Sequence, residues 1–135
     1  MIPINVDYSY PDKPYHLATN LKQSSPLYYG GVNIFNNEDY IKINGFSNEF
    51  WGWGGEDDDL LNRIKSVNYG IYRKSGNFKS LYHKPNGPKH NNYKDNVTRC
   101  RTIYDYQSEG LNTLNYEIKS EEEIQKNIIK LNVCL

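Results

Sequence analysis

A run of carboxylates is the part of the sequence best suited to chemistry, and its members are Glu56, Asp57, Asp58 and Asp59. Carboxylates in the first turn of a helix complement its partial positive charge and accept hydrogen bonds from its free amides, so helix capping is one interpretation. One or two acids would serve that purpose, and four in a row repel one another. A site for a sugar hydroxyl or a metal ion would use the surplus charge, because a carboxylate can accept a hydroxyl proton.

Both tryptophans of the chain, Trp51 and Trp53, lie directly before this run, in the segment FWGWGG. Large apolar side chains ordinarily fill a core, and core packing is the alternative to a functional role. A glycine-rich segment fixes a core side chain poorly, but it allows an aromatic side chain to move. Since an indole face can stack on the apolar face of a sugar ring, we favour a carbohydrate site over capping combined with core packing.

The element that must hold the carboxylates is a helix predicted over residues 56–70, with Gly70 as its stop. The loop before it, residues 44–55, is punctuated by glycine. The apolar residues of the helix recur at the spacing of a single face. They are Leu60, Leu61, Ile64 and Val67.

The remaining segments predict a mixture of strands and helices in one α/β domain of 135 residues. Gly30 and Gly31 lie within a predicted strand and suggest a close backbone approach to a neighbouring group. The proline-punctuated residues 1–25 are predicted to be an extended loop without packing. Strands are predicted at 27–35, 69–74, 78–83, 114–118 and 127–133, with the acidic residues 119–123 between the last two, helices at 36–43 and 97–110, and a second loop at 84–96.

The composition excludes several classes of partner. Sixteen basic residues balance sixteen acidic ones, so no net field attracts nucleic acid or anionic lipid. No apolar run approaches membrane-spanning length and no secretory signal is visible, which predicts a cytoplasmic location by default. Cys100 and Cys134 are too few for a metal quartet or a disulfide scaffold and are predicted to be structural or inert thiols.

Four segments of the sequence together resemble the C-terminal, acceptor-binding half of the β-1,4-galactosyltransferases, including the xylosylprotein galactosyltransferase branch. They are YYGGVNIF, INGFSNEFWGWGGEDDDLLNRI, FKSLYH and SEGLNTLNYEI. The resemblance covers residues 28–118. It implies a partial GT-A fold that lacks the N-terminal nucleotide-binding half. It also implies inverting transfer of galactose from UDP-galactose to an acceptor sugar hydroxyl, with a divalent metal, Mn²⁺ or Mg²⁺, and a Golgi location if the chain is part of a longer family-like protein.

The resemblance also implies roles for individual residues. Asp57 resembles the general base that takes the acceptor proton, and Asp58 its neighbour that holds the acceptor sugar. Trp53 resembles the tryptophan that swings over the bound donor, while Glu56 helps to orient the donor or the loop. Tyr28 matches the aromatic position that restricts the donor to galactose by crowding an N-acetyl group; ordinary strand packing is its alternative. The substrate-binding residues so implied are Trp53, Glu56, Asp58, Tyr28, Gly31 and Gly55.

His83 matches the metal-ligating histidine of the family. Some members have a methionine three residues earlier, where this chain has Ser80. A hydroxyl is a harder donor than a thioether, so magnesium is more plausible here than in the methionine-bearing members.

Two other departures from the family pattern concern the donor and the acceptor. The family's Asp-x-Asp motif lies immediately upstream of a segment similar to residues 2–10, and Asp7 falls too late to replace it. The acceptor pocket falls near Asp95, Asn96 and Arg99, or near Tyr93 and Val97 after a small register shift. We therefore expect catalysis to need a complementary N-terminal half as partner, or self-association; a non-catalytic carbohydrate-binding module and a structural protein are the alternatives.

Overall fold

The computed structural model describes residues 1–19, 27–82, 92–102 and 105–134. Its helices are α1 (Asn37–Lys42), α2 (Glu56–Ser66) and α3 (Tyr93–Thr102), with a short 3-10 helix at Leu111–Thr113. Its strands are β1 (Ile2–Val6), β2 (Tyr15–His16), β3 (Asn33–Ile34), β4 (Gly76–Lys79), β5 (Glu117–Gln125) and β6 (Ile128–Cys134). Within these ranges the strands form antiparallel pairs β1–β4, β2–β3 and β5–β6, so the predicted α/β class is confirmed.

Helix α2 is held by the larger of the core clusters. Leu60 and Ile64 are fully buried and lie one helical turn apart, so they form a continuous apolar stripe. They pack with Leu61, Tyr29 and Ile43. Because this face of α2 is buried, the first turn of the helix, which carries the acidic run, has a fixed position.

The two helices predicted before residue 70 are confirmed. In α1, the Asn36 side chain accepts a hydrogen bond from the Asp39 amide at 2.7 Å, which is an N-cap. Helix α2 begins at Glu56 as predicted, but it ends at Ser66 and not at Gly70. Asn68, with φ of 63°, takes the left-handed conformation that ends helices, a role that asparagine can fill in place of glycine.

The prediction that residues 1–25 form an unpacked loop is wrong for the part that the structure describes. Strand β1 pairs with β4, where Ile2 lies opposite Lys79. His16 and Leu17 are buried, and Leu17 packs against Phe78 in a second core cluster. The strands in this segment are short and pair with distant residues, so they leave little local signal and the prolines led to the prediction of a loop. Residues 20–26 lie outside the described part.

Five other predictions also differ from the structure in their boundaries. The strand predicted at 27–35 is limited to β3, and residues 69–74 form no strand but contribute Arg73 to an isolated bridge with His16. The strand predicted at 78–83 is displaced to β4. Helix α3 starts four residues before the predicted 97, and the acidic residues 119–123 lie within β5. Lysine and glutamate are weak strand formers, so their inclusion in β5 depends on pairing with β6.

The β5–β6 hairpin is exposed along its whole length. Ile129 pairs with Glu123 and Leu131 with Glu121, so apolar and acidic side chains oppose each other. Strand β6 therefore presents apolar residues that the described part of the chain does not cover. No helix among the described residues is long and apolar enough to cross a membrane.

Candidate active site

The Asp57 carboxylate projects from the first turn of α2 onto the backbone at Gly30. A Cβ placed on Gly30 would overlap Asp57 Oδ2, and it would lie 2.7 Å from the Tyr28 hydroxyl oxygen. Only glycine leaves room for the carboxylate at this point. The close approach anticipated from the glycine pair thus occurs at Gly30, and it brings the predicted base and Tyr28 together.

This environment raises the pKa of Asp57 to about 6, chiefly because the carboxyl is partly buried. The neighbouring charges of Glu56 and Asp58 raise the pKa further. The pKa of the Tyr28 hydroxyl is raised as well, first by burial and then by the Asp57 charge. A carboxylate of this kind is still ionised at neutral pH and accepts a proton more readily than an ordinary aspartate.

The other members of the acidic run have different surroundings. Asp58 is exposed and Glu56 is half-buried. Asp59 is buried and accepts from Arg63 Nε at 2.6 Å, and the same guanidinium also pairs with Glu109. Arg63, held by Asp59 within α2, therefore ties the helix to the segment around Glu109. Asp59 thus belongs to an ion-pair network, which accounts for part of the charge surplus noted in the sequence.

The tryptophan loop, residues 50–55, leads into α2 and contacts α3, and both of its indoles are exposed. Trp51 is 64% and Trp53 62% exposed, so neither fills the core. The Trp53 indole stacks on Tyr93, with ring centroids 5.3 Å apart and planes inclined by 24°. The Trp51 carbonyl accepts a hydrogen bond from Asn96 Nδ2 at 3.1 Å. Beside Trp51 runs a groove of about 370 Å³, lined by Ser47, Asn48, Phe50, Trp51, Thr113, Leu114 and Asn115.

A second cavity, of about 650 Å³, is lined by residues of both α2 and α3. Its lining includes Asp58, Tyr93 and Val97. The last two are the residues that the shifted register places in the acceptor pocket. Asp95 and Arg99 are exposed on α3, and Arg99 pairs with Glu49 at 3.2 Å. The predicted acceptor residue Asp58 thus faces a cavity of suitable size for a sugar.

Beneath Tyr28 and Gly30 lies a buried histidine that sequence reasoning missed. His16 Nε2 lies 2.8 Å from the Gly30 carbonyl oxygen, and its Nδ1 contacts the Arg73 guanidinium. Arg73 Nη2 also donates to the Tyr28 carbonyl at 2.8 Å. Burial lowers the pKa of His16, and Arg73 lowers it further. The only local signal was a histidine next to the apolar pair Leu17-Ala18.

The remaining predicted site residues are less closely grouped. Gly31 is exposed with φ of 94°, and Gly55, with φ of 92°, precedes the first turn of α2 against the Asn96 backbone. His83 lies outside the described residues. Within the described ranges, no group of three or more His, Cys, Asp or Glu side chains could hold a metal ion. Cys100 is a free, buried thiol, and burial raises its pKa to about 11, which suits an unreactive thiol.

Comparison with known proteins agrees with the resemblance. A family model described as the N-terminal domain of galactosyltransferase matches residues 15–84. Bovine β-1,4-galactosyltransferase 3 is 34% identical over 121 residues, which is 83% of this chain and 30% of the relative. Mouse β-1,4-galactosyltransferase 5 is 38% identical over 125 residues, 85% of this chain and 32% of the relative. The chain thus spans about a third of the length of these relatives.

Two solved structures share the fold. One is a mutant of Drosophila β-1,4-galactosyltransferase 7 in complex with manganese, UDP-Gal and xylobiose. It superposes on this chain with a TM-score of 0.75 and 26% identity, and the match covers 98% of this chain and 63% of that chain. The catalytic domain of the same enzyme with xylobiose gives a TM-score of 0.73 and 25% identity over the same shares.

The fold, together with these matches, defines a partial GT-A domain of the glycosyltransferase class. More narrowly, the chain belongs to the β-1,4-galactosyltransferase family. The matching family model is described as an N-terminal domain, whereas the sequence predicts the C-terminal half of the enzyme; the C-terminal placement stays a prediction.

Proposed function

We propose that the chain supplies the acceptor side and the catalytic base of a hexosyltransferase that transfers galactose from UDP-galactose to a sugar hydroxyl. The position of Asp57 carries this proposal. Its carboxylate is half-buried against Gly30 and the Tyr28 hydroxyl, and its pKa is raised to about 6. The manganese, UDP-Gal and xylobiose in the Drosophila neighbour support the same donor, a divalent metal and a sugar acceptor.

The chemistry is a single displacement. The Asp57 carboxylate accepts the proton of the acceptor hydroxyl as its oxygen forms a bond to the anomeric carbon of galactose. The bond between that carbon and the diphosphate oxygen breaks, and UDP leaves with the electron pair. Attack from the face opposite the leaving group inverts the configuration. Because a raised pKa favours proton uptake, the partly buried setting of Asp57 assists this step.

The acceptor is proposed to occupy the cavity between α2 and α3. Asp58 at its margin can accept hydrogen bonds from sugar hydroxyls, while Tyr93 and Val97 supply apolar surface. Trp53, which stacks on Tyr93, lies next to this cavity and can offer its other face to a sugar ring or to the donor. Glu56 and Gly31 are proposed to contact the donor or its loop, and Gly55 to give the tryptophan loop its hinge.

A metal ion would neutralise charge on the departing diphosphate. His83 is the proposed ligand, with Mn²⁺ or Mg²⁺ as the ion. The donors that the structure describes do not assemble a metal site, so no step is assigned to the metal. A partner half-domain, or self-association, remains the prediction for completing the site, and the exposed apolar face of β6 is consistent with it. Sedimentation tests this prediction, and a stable monomer would contradict it.

Glycan binding without catalysis is the second candidate. The groove beside the exposed Trp51, of about 370 Å³, favours it because an indole can hold a sugar ring without any donor site. Donor binding separates the two candidates, since only the transferase needs UDP-galactose.

The experiment is calorimetric titration of UDP-galactose into the chain with manganese or magnesium, followed by a transfer assay with xylobiose as acceptor. We expect metal-dependent donor binding that is lost in His83→Ala, and transfer that is lost in Asp57→Asn while donor binding is retained. Glu49→Gln is the matched control, since it removes an exposed acid from the loop that precedes α2. A folded chain that binds xylobiose but no UDP-galactose would contradict the transferase proposal and favour glycan binding without catalysis.

A further inference from the structure

His16 lies under the segment that faces the catalytic base, and its ring is satisfied on both nitrogens. It is 1% exposed, stacks on Tyr29 at 5.4 Å and meets the Tyr28 ring edge-on at 5.7 Å. One ring nitrogen faces the Gly30 carbonyl and the other the Arg73 guanidinium. A carbonyl accepts and a guanidinium donates, so these partners require the neutral ring with its proton on Nε2.

The contacts of His16 reach Asp57 through one intermediate. Gly30, whose carbonyl accepts the hydrogen bond from His16 Nε2–H, is also the residue whose backbone lies against the Asp57 carboxylate. Arg73 secures the same segment at the Tyr28 carbonyl. The backbone of residues 28–30 is thus held at the Tyr28 and Gly30 carbonyls, and this backbone with the Tyr28 hydroxyl forms a wall against the Asp57 carboxylate.

We propose that His16 is a positioning residue for the base: its neutral ring clamps the Gly30 carbonyl and thereby holds the Tyr28–Gly30 wall against the Asp57 carboxylate. The use of this clamp in catalysis rests on the proposed function, but the clamp itself does not. An ordinary core histidine would only contribute to folding stability. The clamp, in contrast, controls how much water reaches Asp57.

The test is a carboxyl NMR titration of Asp57 in the full chain. The charged or titratable groups around Asp57 are Glu56 and Asp58 on its own helix and Tyr28 on the facing segment, and these stay unchanged in every variant. In His16→Leu the wall loosens, water reaches the carboxylate, and we expect its pKa to fall from about 6 by at least about one unit. In His16→Gln, an amide donor near the Nε2 position restores the clamp and keeps the pKa near that of the parent chain.

Two further variants separate positioning from stability. Leu17→Ala creates a cavity next to His16 in the second core cluster, so it should destabilise the fold without changing the pKa of Asp57. His16→Asn is polar but too short to reach Gly30, so it should behave like His16→Leu and serves if that variant fails to fold. An unchanged pKa in folded His16→Asn, or an equal fall in Leu17→Ala, would overturn the proposal.

The outcome is distinguishable from a failure of the proposed function. If the pKa of Asp57 responds to His16 as expected and the chain shows no transfer, the clamp exists and the catalytic role of Asp57 is wrong. If transfer is observed and the pKa of Asp57 does not change when His16 is replaced, the proposed transferase function is supported and the proposed clamp is wrong.

Discussion

The Trp53 indole stacks on the ring of Tyr93, with centroids 5.3 Å apart, and so joins the tryptophan loop to helix α3. The loop is attached to α3 a second time through the Asn96 amide and the Trp51 carbonyl. If Trp53 swings over a bound donor, as the family resemblance implies, the swing must break the stack with Tyr93. Aromatic pairs of this kind contribute about 0.5–1.5 kcal/mol, which is small enough for a ligand to overcome.

Replacement of Tyr93 by alanine should release Trp53. We expect Tyr93→Ala to lower the free energy of unfolding by about 0.5–1 kcal/mol and to increase the mobility of the indole. The mobility is measured by fluorescence anisotropy in a Trp51→Phe background, where Trp53 is the remaining tryptophan. Tyr93→Phe keeps the ring and should match the parent; equal anisotropy in Tyr93→Ala would show that the stack does not restrain the loop.

Loss of Arg63 should be among the most damaging single changes. Its guanidinium is fully buried between Asp59 and Glu109, so Arg63→Met leaves the buried Asp59 carboxylate and the partly buried Glu109 carboxylate without a cation. We expect a loss of about 3–5 kcal/mol in the free energy of unfolding, measured with urea. Arg99→Met removes a surface pair with Glu49 and should cost at most about 1 kcal/mol. Similar losses in both variants would contradict the buried network.

Asp57→Asn should stabilise the protein in a pH-dependent way. The folded pKa of Asp57, about 6, exceeds the ordinary value of 3.8, so the folded state binds its proton more tightly than the unfolded state. Ionisation of Asp57 therefore destabilises the fold as the pH rises from about 4 through 6. The variant should equal the parent below this window and melt at a higher temperature above it.

Thermal unfolding between pH 3.5 and pH 8 measures this difference. Glu121→Gln on the exposed hairpin controls for the loss of one negative charge. A gain in melting temperature for Asp57→Asn that is the same at every pH would rule out a raised pKa as its cause.

A methyl group at position 30 should disturb the site directly. In Gly30→Ala the new Cβ overlaps Asp57 Oδ2 and crowds the Tyr28 hydroxyl, so we expect a loss of about 1–3 kcal/mol. The Tyr28 and Asp57 resonances should shift together in NMR spectra. Gly70→Ala is the matched control, because its Cβ would be 3.3 Å from the exposed ring of Tyr72. Wild-type stability in Gly30→Ala would mean that the carboxylate does not contact this backbone.

Helix α2 and the loop before it could be predicted from the sequence because their signals are local. Leu60 and Ile64 lie one turn apart and mark the buried face, and the carboxylates at the helix start match its positive end. The acidic run was visible in the same stretch, and its resemblance to the family pointed to Asp57 as the candidate base. Even the family could be named from these residues, since FWGWGGEDDD is unusual in composition and continuous in the chain.

The tertiary structure decided what depends on residues far apart in the chain. No periodicity in the sequence predicts the pairing of Ile2 with Lys79. The same is true of the contacts that His16 makes with Gly30 and Arg73. The two-residue strand β2 is a strand because it pairs with β3, and its own strand propensity would not have predicted it. The sequence by itself therefore determined the helix, the acidic run and the class of chemistry. Only folding decided which carboxylate meets a glycine, which pairs with arginine, and how much water reaches each one, because burial and pKa depend on neighbours brought together in space.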